Sequence, residues 1–204
     1  MAEVEPEPAE LPAWRAFVFK NRGTLLALPA LALTTFGKPS SGATAIGLPI
    51  AFLGEALRCW AVGYSGVTTR GDTVTAPALV TAGPYAYIRN PLYLGNFMTA
   101  LGFSLAFAGG LEPRSRAALI ALGLGTMAGV YAAIVPLEEE YLRRTFGAAF
   151  DDYVARVPRA FPRLTPAEPQ QGVYDSSVIG RAETRTFATF GAMLSALALK
   201  AARG

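Results

Sequence analysis

The chain of 204 residues has no histidine, one cysteine and few charges. Without histidine there is no Ser–His or Cys–His nucleophilic pair, no His-ligated zinc or haem, and no side chain that ordinarily titrates near neutrality. The single cysteine, Cys59, excludes an intrachain disulfide and every multi-cysteine metal site. It lies in an apolar run, where a thiol behaves as a small buried hydrophobe. Charged residues make up 16% of the chain, against about 25% in ordinary soluble domains. The net charge of +3 is small and its basic residues are scattered, which argues against a nucleic-acid interface. No strand–GxGxxG–helix unit is present, so nothing indicates a soluble dinucleotide-type fold.

Apolar residues dominate instead, at 52%, with a mean hydropathy of +0.33. Their runs predict an all-α, polytopic transmembrane bundle of four spans: Thr24–Phe36, Ala43–Tyr64, Leu92–Leu111 and Ala117–Leu137. Thr184–Leu199 is a shorter apolar segment, either a fifth span or a helix on the membrane surface. Met1–Glu10 is acidic and proline-rich, lacks the pattern of a signal peptide and is expected to be a disordered tail. Residues 11–22 mix aromatic and basic side chains, as an interfacial helix does. The expected organisation is therefore a tail and interfacial segment (1–22), a membrane core (23–163), and a linker with a C-terminal apolar helix (164–204).

With four spans, one side of the membrane receives ten basic residues (Arg15, Lys20, Arg22, Arg70, Arg89, Arg143, Arg144, Arg156, Arg159 and Arg163). The other side receives Lys38, Arg114 and Arg116. The positive-inside rule then predicts that the loop 65–91 and the polar region 138–163 both face the cytoplasm, where they can meet.

Those two segments carry the chemistry. Leu79-Val80-Thr81-Ala82-Gly83-Pro84-Tyr85-Ala86-Tyr87-Ile88-Arg89-Asn90-Pro91-Leu92-Tyr93-Leu94-Gly95 runs from a polar loop straight into an apolar span. Pro84 and Pro91 bar a continuous helix and force a shaped loop. After two spans comes Glu138-Glu139-Glu140-Tyr141-Leu142, then Phe146-Gly147-Ala148-Ala149-Phe150-Asp151-Asp152-Tyr153, then Val157-Pro158.

Together these segments resemble the isoprenylcysteine carboxyl methyltransferase and phospholipid methyltransferase superfamily, whose wording is G-x-Y-x-x-x-R-H-P-x-Y-x-G followed by E-E-x-x-L-x-x-x-F-G-x-x-Y-x-x-Y-x-x-x-V-P. The resemblance covers about residues 55–163. It implies an integral membrane enzyme that binds S-adenosylmethionine in cytosolic loops and short helices, and a lipidic or apolar acceptor with membrane lipids around it, with no metal. By motif position it implies a cofactor site of Tyr85, Arg89, Asn90, Pro91, Leu92, Tyr93 and Glu138, with Pro77, Ala78, Leu79 and Val80 contributing backbone. Arg70 either reaches the cofactor or is an ordinary loop charge. Arg89 and Glu139 are the residues expected at the catalytic step.

Two positions depart from the pattern. Asn90 stands where the family has histidine, which keeps hydrogen bonding but removes titration near neutrality. Ile134 stands where the prenylcysteine enzymes carry a substrate-contacting arginine, which weighs against a prenylcysteine carboxylate. Candidate acceptors are a phospholipid amine, a hydrophobic thiol and, less well matched at position 134, an isoprenylcysteine-like carboxylate. Two other readings use the same scaffold: an NADPH-dependent membrane reductase like the sterol reductases, and a non-catalytic membrane protein. Glu55 and Arg58, three apart in a span, suit either an ion pair or a function.

Overall fold

The computed structural model describes residues 12–66 and 76–203. Among these residues the secondary structure is helical throughout, without a strand. Six α-helices follow in order: α1 (Ala13–Phe36), α2 (Ser41–Ser65), α3 (Pro91–Ala108), α4 (Pro113–Phe146), α5 (Ala148–Arg156) and α6 (Ile179–Arg203). One-turn 3₁₀ helices occupy Gly83–Ala86 and Ser176–Val178.

Proline and glycine set the ends. Pro91 and Pro113 open α3 and α4 at the first turn, where a missing N–H costs nothing. Gly147 ends α4 with φ of 52°, a left-handed conformation open to glycine.

Two boundaries differ from expectation. Residues 11–22 and 24–36 were expected as separate elements, yet α1 runs through both. The fourth span and the acidic segment after it are likewise one helix of 34 residues. The change from apolar to charged composition marks a change of surroundings. Glu, Lys and Arg are good helix formers, so it does not end a helix. At about 1.5 Å per residue, α4 is roughly 51 Å long, well beyond a bilayer core of about 30 Å.

Among the described residues, three helices are long and apolar enough to cross a membrane: α2, α3 and α4. The expectation was four spans with a fifth in reserve. α1 and α6 have the length, with 24 and 25 residues, but Arg15, Lys20 and Arg22 charge the first half of α1, and Arg181, Glu183 and Arg185 the start of α6.

α2 and α3 form the most extensive helix pair. Their seam is built of small residues, Gly47, Ala51 and Gly54 on α2 against Gly95, Thr99, Gly102 and Ala106 on α3. A Cβ added at Gly54 would lie 2.6 Å from the Gly95 carbonyl oxygen, and one at Gly95 would lie 2.7 Å from that of Gly54. Hydrocarbon gives no hydrophobic push between helices, so this close backbone approach supplies the packing. It also brings Arg58 of α2 beside Asn96 of α3. A separate apolar cluster of Phe150, Tyr153, Val157 and Ala167 seats α5 and the chain after it against Leu79.

Candidate functional site

The loop ahead of α3 is held in place by the chain that follows α5. Gln171 accepts from the amides of Thr81 (2.8 Å) and Ala82 (3.0 Å); Pro158 accepts from Arg89 N–H (2.9 Å). In return, Arg163 N–H donates to Tyr87 (2.9 Å) and Ala167 N–H to Ala86 (2.9 Å). The Tyr153 hydroxyl of α5 donates to the Tyr85 carbonyl at 2.8 Å. Ala167 and Gln171, in the stretch 164–180 expected as a loop or linker, thus form part of this clamp.

Beneath the clamp lies a cavity of about 920 Å³. Pro77, Ala78, Leu79, Val80, Tyr85, Arg89, Asn90, Pro91, Leu92 and Tyr93 line it from the loop and the start of α3. Glu138 and Glu139 line it from α4. The two motifs therefore face one space. Arg70 falls outside the described residues.

Glu138 and its neighbour have different partners. Tyr93 donates to Glu138 Oε1 at 2.6 Å across α3 and α4. Glu139 faces two guanidinium groups: Arg89 Nε lies 3.2 Å from its Oε1, and Arg159 donates from Nε at 3.0 Å and from Nη2. Arg89 also donates through Nη1 to the Val154 carbonyl at 3.3 Å. Arg159, from the Pro158–Pro162 segment, thereby seats that loop on α4. Its guanidinium is pushed above its ordinary value by the hydrogen bond to Glu139. Glu140 pairs with Arg144 on the exposed face of α4.

Asn90 occupies the N-cap of α3 but its side chain makes no capping bond. Its Nδ2 is buried without a hydrogen-bond partner, at the cavity wall. Burial pushes the Tyr85 phenol up to about 12, with a hydrogen bond to Ser65 opposing the shift. Burial, and then the neighbouring Tyr85, raises Tyr153 as well. Both tyrosines stay protonated through the physiological range, and Tyr153 donates its proton to the Tyr85 carbonyl.

The Glu55–Arg58 question is answered by a larger network. Arg58 Nε lies 3.6 Å from Glu55, and Nη2 donates to Glu183 of α6 at 2.7 Å and to Thr186 at 3.3 Å. Arg58 also bonds Asn96, whose Nδ2 donates to the Tyr131 hydroxyl of α4 at 2.7 Å. The guanidinium thus ties three helices directly and a fourth, α4, through Asn96, and Arg58, Asn96, Tyr131 and Glu183 all line the cavity. Sequence reasoning did not place Asn96, Tyr131 or Glu183 at the site. Polar side chains on apolar helices were the available signal. Gly172 and Val173 also line it, and they carry no signal at all. Among the described residues, no group of three or more Cys, Asp or Glu is placed to hold a metal ion.

The phospholipid methyltransferase family matches residues 43–149, just over half of the chain. The chain belongs to this family. The matched stretch includes the first motif and the start of the second, Glu138 and Glu139 among them. Among curated relatives, the nickel-cobalt-cadmium resistance protein NccN of Alcaligenes xylosoxydans xylosoxydans is 40% identical over 87 residues, 43% of this chain and 37% of the relative. The cobalt-zinc-cadmium resistance protein CzcN of Cupriavidus metallidurans is 36% identical over 87 residues, with the same coverage. Protein-S-isoprenylcysteine O-methyltransferase of Schizosaccharomyces pombe is 33% identical over 86 residues, 42% of this chain and 34% of that enzyme. The chain thus spans little more than a third of the length of these relatives. No solved structure matches it.

Proposed function

We propose that this protein is an integral membrane methyltransferase that transfers the methyl group of S-adenosylmethionine to a lipidic or apolar acceptor, with the cavity opening toward the cytoplasm. The observation that carries this reading is the convergence of both motifs on one cavity whose wall is polar at one end and continuous with the apolar bundle at the other.

The chemistry of the wall suits this donor. Its volume lies near the upper end of the roughly 300–1,000 Å³ of small-molecule pockets, room enough for a donor and an acceptor head together. Glu138 offers a carboxylate to an ammonium group or ribose hydroxyls, and the Tyr85 and Tyr93 rings suit a cation. Asn90 Nδ2 is a buried donor in want of an acceptor, a state folded proteins rarely leave unexplained. Bound there, S-adenosylmethionine supplies an activated methyl group, so transfer is an in-line displacement in which positioning does most of the work.

The residues divide that task. Tyr93 orients Glu138, and the backbone of Pro77–Val80 closes the wall beside it. Arg89 and Glu139, expected at the catalytic step, are assigned here to holding geometry. Glu139 answers two guanidinium groups and Arg89 anchors α5 through Val154, so neither is disposed to move a proton.

Calorimetric titration of the purified protein tests the reading. S-adenosylmethionine is expected to bind, and Glu138→Ala and Asn90→Ala to weaken it strongly. Methyl-labelled donor incubated with a membrane lipid extract is expected to yield a labelled lipid. Undiminished donor binding in both variants, or preference for NADPH over the sulfonium donor, overturns the proposal.

A further inference from the structure

A second, smaller cavity of about 220 Å³ opens off the first. The two share Leu26, Asn96, Tyr131, Thr186 and Thr189 in their walls, so the smaller one adjoins the larger as a side branch of the same interior. Leu33, Phe103, Met127, Phe190 and Met193 form its apolar walls. Phe190 and Met193 come from α6, which begins thirty residues beyond the end of the family match. This wall is therefore a feature of this chain and not of the matched family segment.

The polar groups of the branch beyond the junction are few. Glu55 is engaged with Arg58, and Thr99 donates to the Ala51 carbonyl at 3.3 Å. Ser104 differs. It is 1% exposed, and its hydroxyl has no hydrogen-bond partner. A helical serine usually bonds back to the carbonyl one turn earlier. This one leaves that option unused and lines the branch instead.

Size and chemistry together define an occupant. An apolar cavity of about 150 Å³ stays dry and takes benzene, and this branch is half as large again. We infer that the branch holds the apolar part of the methyl acceptor, a short aliphatic or single-ring group carrying one oxygen at the level of Ser104. This rests on the methyltransferase reading above. The group is closed off by Phe103 and Phe190, and the two α6 residues Phe190 and Met193 are specificity-determining.

Gly123 provides a plug. A Cβ added there would sit 3.4 Å from Ser104 Oγ and 4.0 Å from Pro29 Cβ, ordinary contact distances, so a larger side chain grows into the branch without displacing backbone. The experiment uses the full-length protein and a photoreactive diazirine derivative of octanol, with adducts mapped by mass spectrometry. Adducts are expected on the α3 and α6 segments that wall the branch. Gly123→Leu and Ala100→Leu, which fill it from two sides, are each expected to reduce them about tenfold, the equivalent of roughly 1.4 kcal/mol. Ser104→Ala is expected to reduce labelling by the alcohol about fivefold, one hydrogen bond's worth, and to leave labelling by the matching octane derivative unchanged. Adducts undiminished in both filled variants, or an equal response of alcohol and alkane to Ser104→Ala, overturn the inference. The filled variants should still bind S-adenosylmethionine but no longer methylate lipid. Blockable labelling in a protein that binds no donor would overturn the methyltransferase reading and leave the apolar site standing.

Discussion

Tyr93 on α3 donates to Glu138 on α4 at 2.6 Å, a side-chain bond that joins the two motifs. Both side chains face the cavity. The phenol fixes the direction in which the carboxylate presents its second oxygen. A hydrogen bond to a charged group contributes about 1.5–3 kcal/mol. Tyr93→Phe is therefore expected to weaken donor binding about tenfold by calorimetry. Unchanged affinity would remove Tyr93 from any orienting role.

Asn90 makes the opposite kind of prediction. Its amide makes no capping bond and its Nδ2 is without a partner. Replacing such a group with an apolar one of similar size is nearly neutral or stabilising. Asn90→Leu should hold or raise the thermal midpoint while weakening donor binding. A lowered midpoint with intact binding would make Asn90 an ordinary structural residue.

Glu139 has a buried partner and an exposed one. The Arg89 side chain is 11% exposed and that of Arg159 is 52%. A buried partner contributes more than an exposed one, whose pairs are worth about 1 kcal/mol or less. Arg89 also holds the Val154 carbonyl. Arg159 still answers Glu139 when Arg89 is gone, so the loss stays below the roughly 3–5 kcal/mol of a wholly unpaired buried charge. Arg89→Met should lower stability toward denaturant far more than Arg159→Met. Equal losses would mean that Arg159 carries more of the pairing than its exposure suggests.

Tyr85 gives a pH signature. Its folded-state pKa is raised from the ordinary 10 to about 12, so the folded state holds the proton more tightly than the unfolded state. The linked stabilisation is fully present below pH 10 and disappears as pH rises toward 12. Its size is on the order of 2 kcal/mol. Denaturant melts between pH 9 and about 12 should show this decline, and Tyr85→Phe should flatten the part that Tyr85 contributes. A decline identical in Tyr85→Phe would assign it to other groups, Tyr153 among them.

Much of the architecture was legible because it is encoded locally. Pro91 and Gly147 mark helix ends through a missing N–H and a positive φ, and both stand where the sequence places them. The meeting of Tyr93 with Glu138 is foreshadowed by two motifs that a pair of intervening spans returns to one side. Glu183 was not legible. Its partner Arg58 lies 125 residues away, and no local pattern fixes how α6 rotates onto α2. The ends of α1 and α4 were misplaced because composition reports the solvent around a helix and not its continuity.

The clamp over residues 81–89 is made almost wholly of main-chain groups. The amides of Thr81, Ala82, Arg89, Arg163 and Ala167 do the donating, and backbone carbonyls do the accepting. Such a device is indifferent to nearly every side chain that might occupy those positions. Its one intolerance is to proline, which deletes the donor. The contacts made by the main chain of Pro158, Arg163, Ala167 and Gln171 can therefore persist through changes of side chain at those positions, all of which lie beyond the end of the family match.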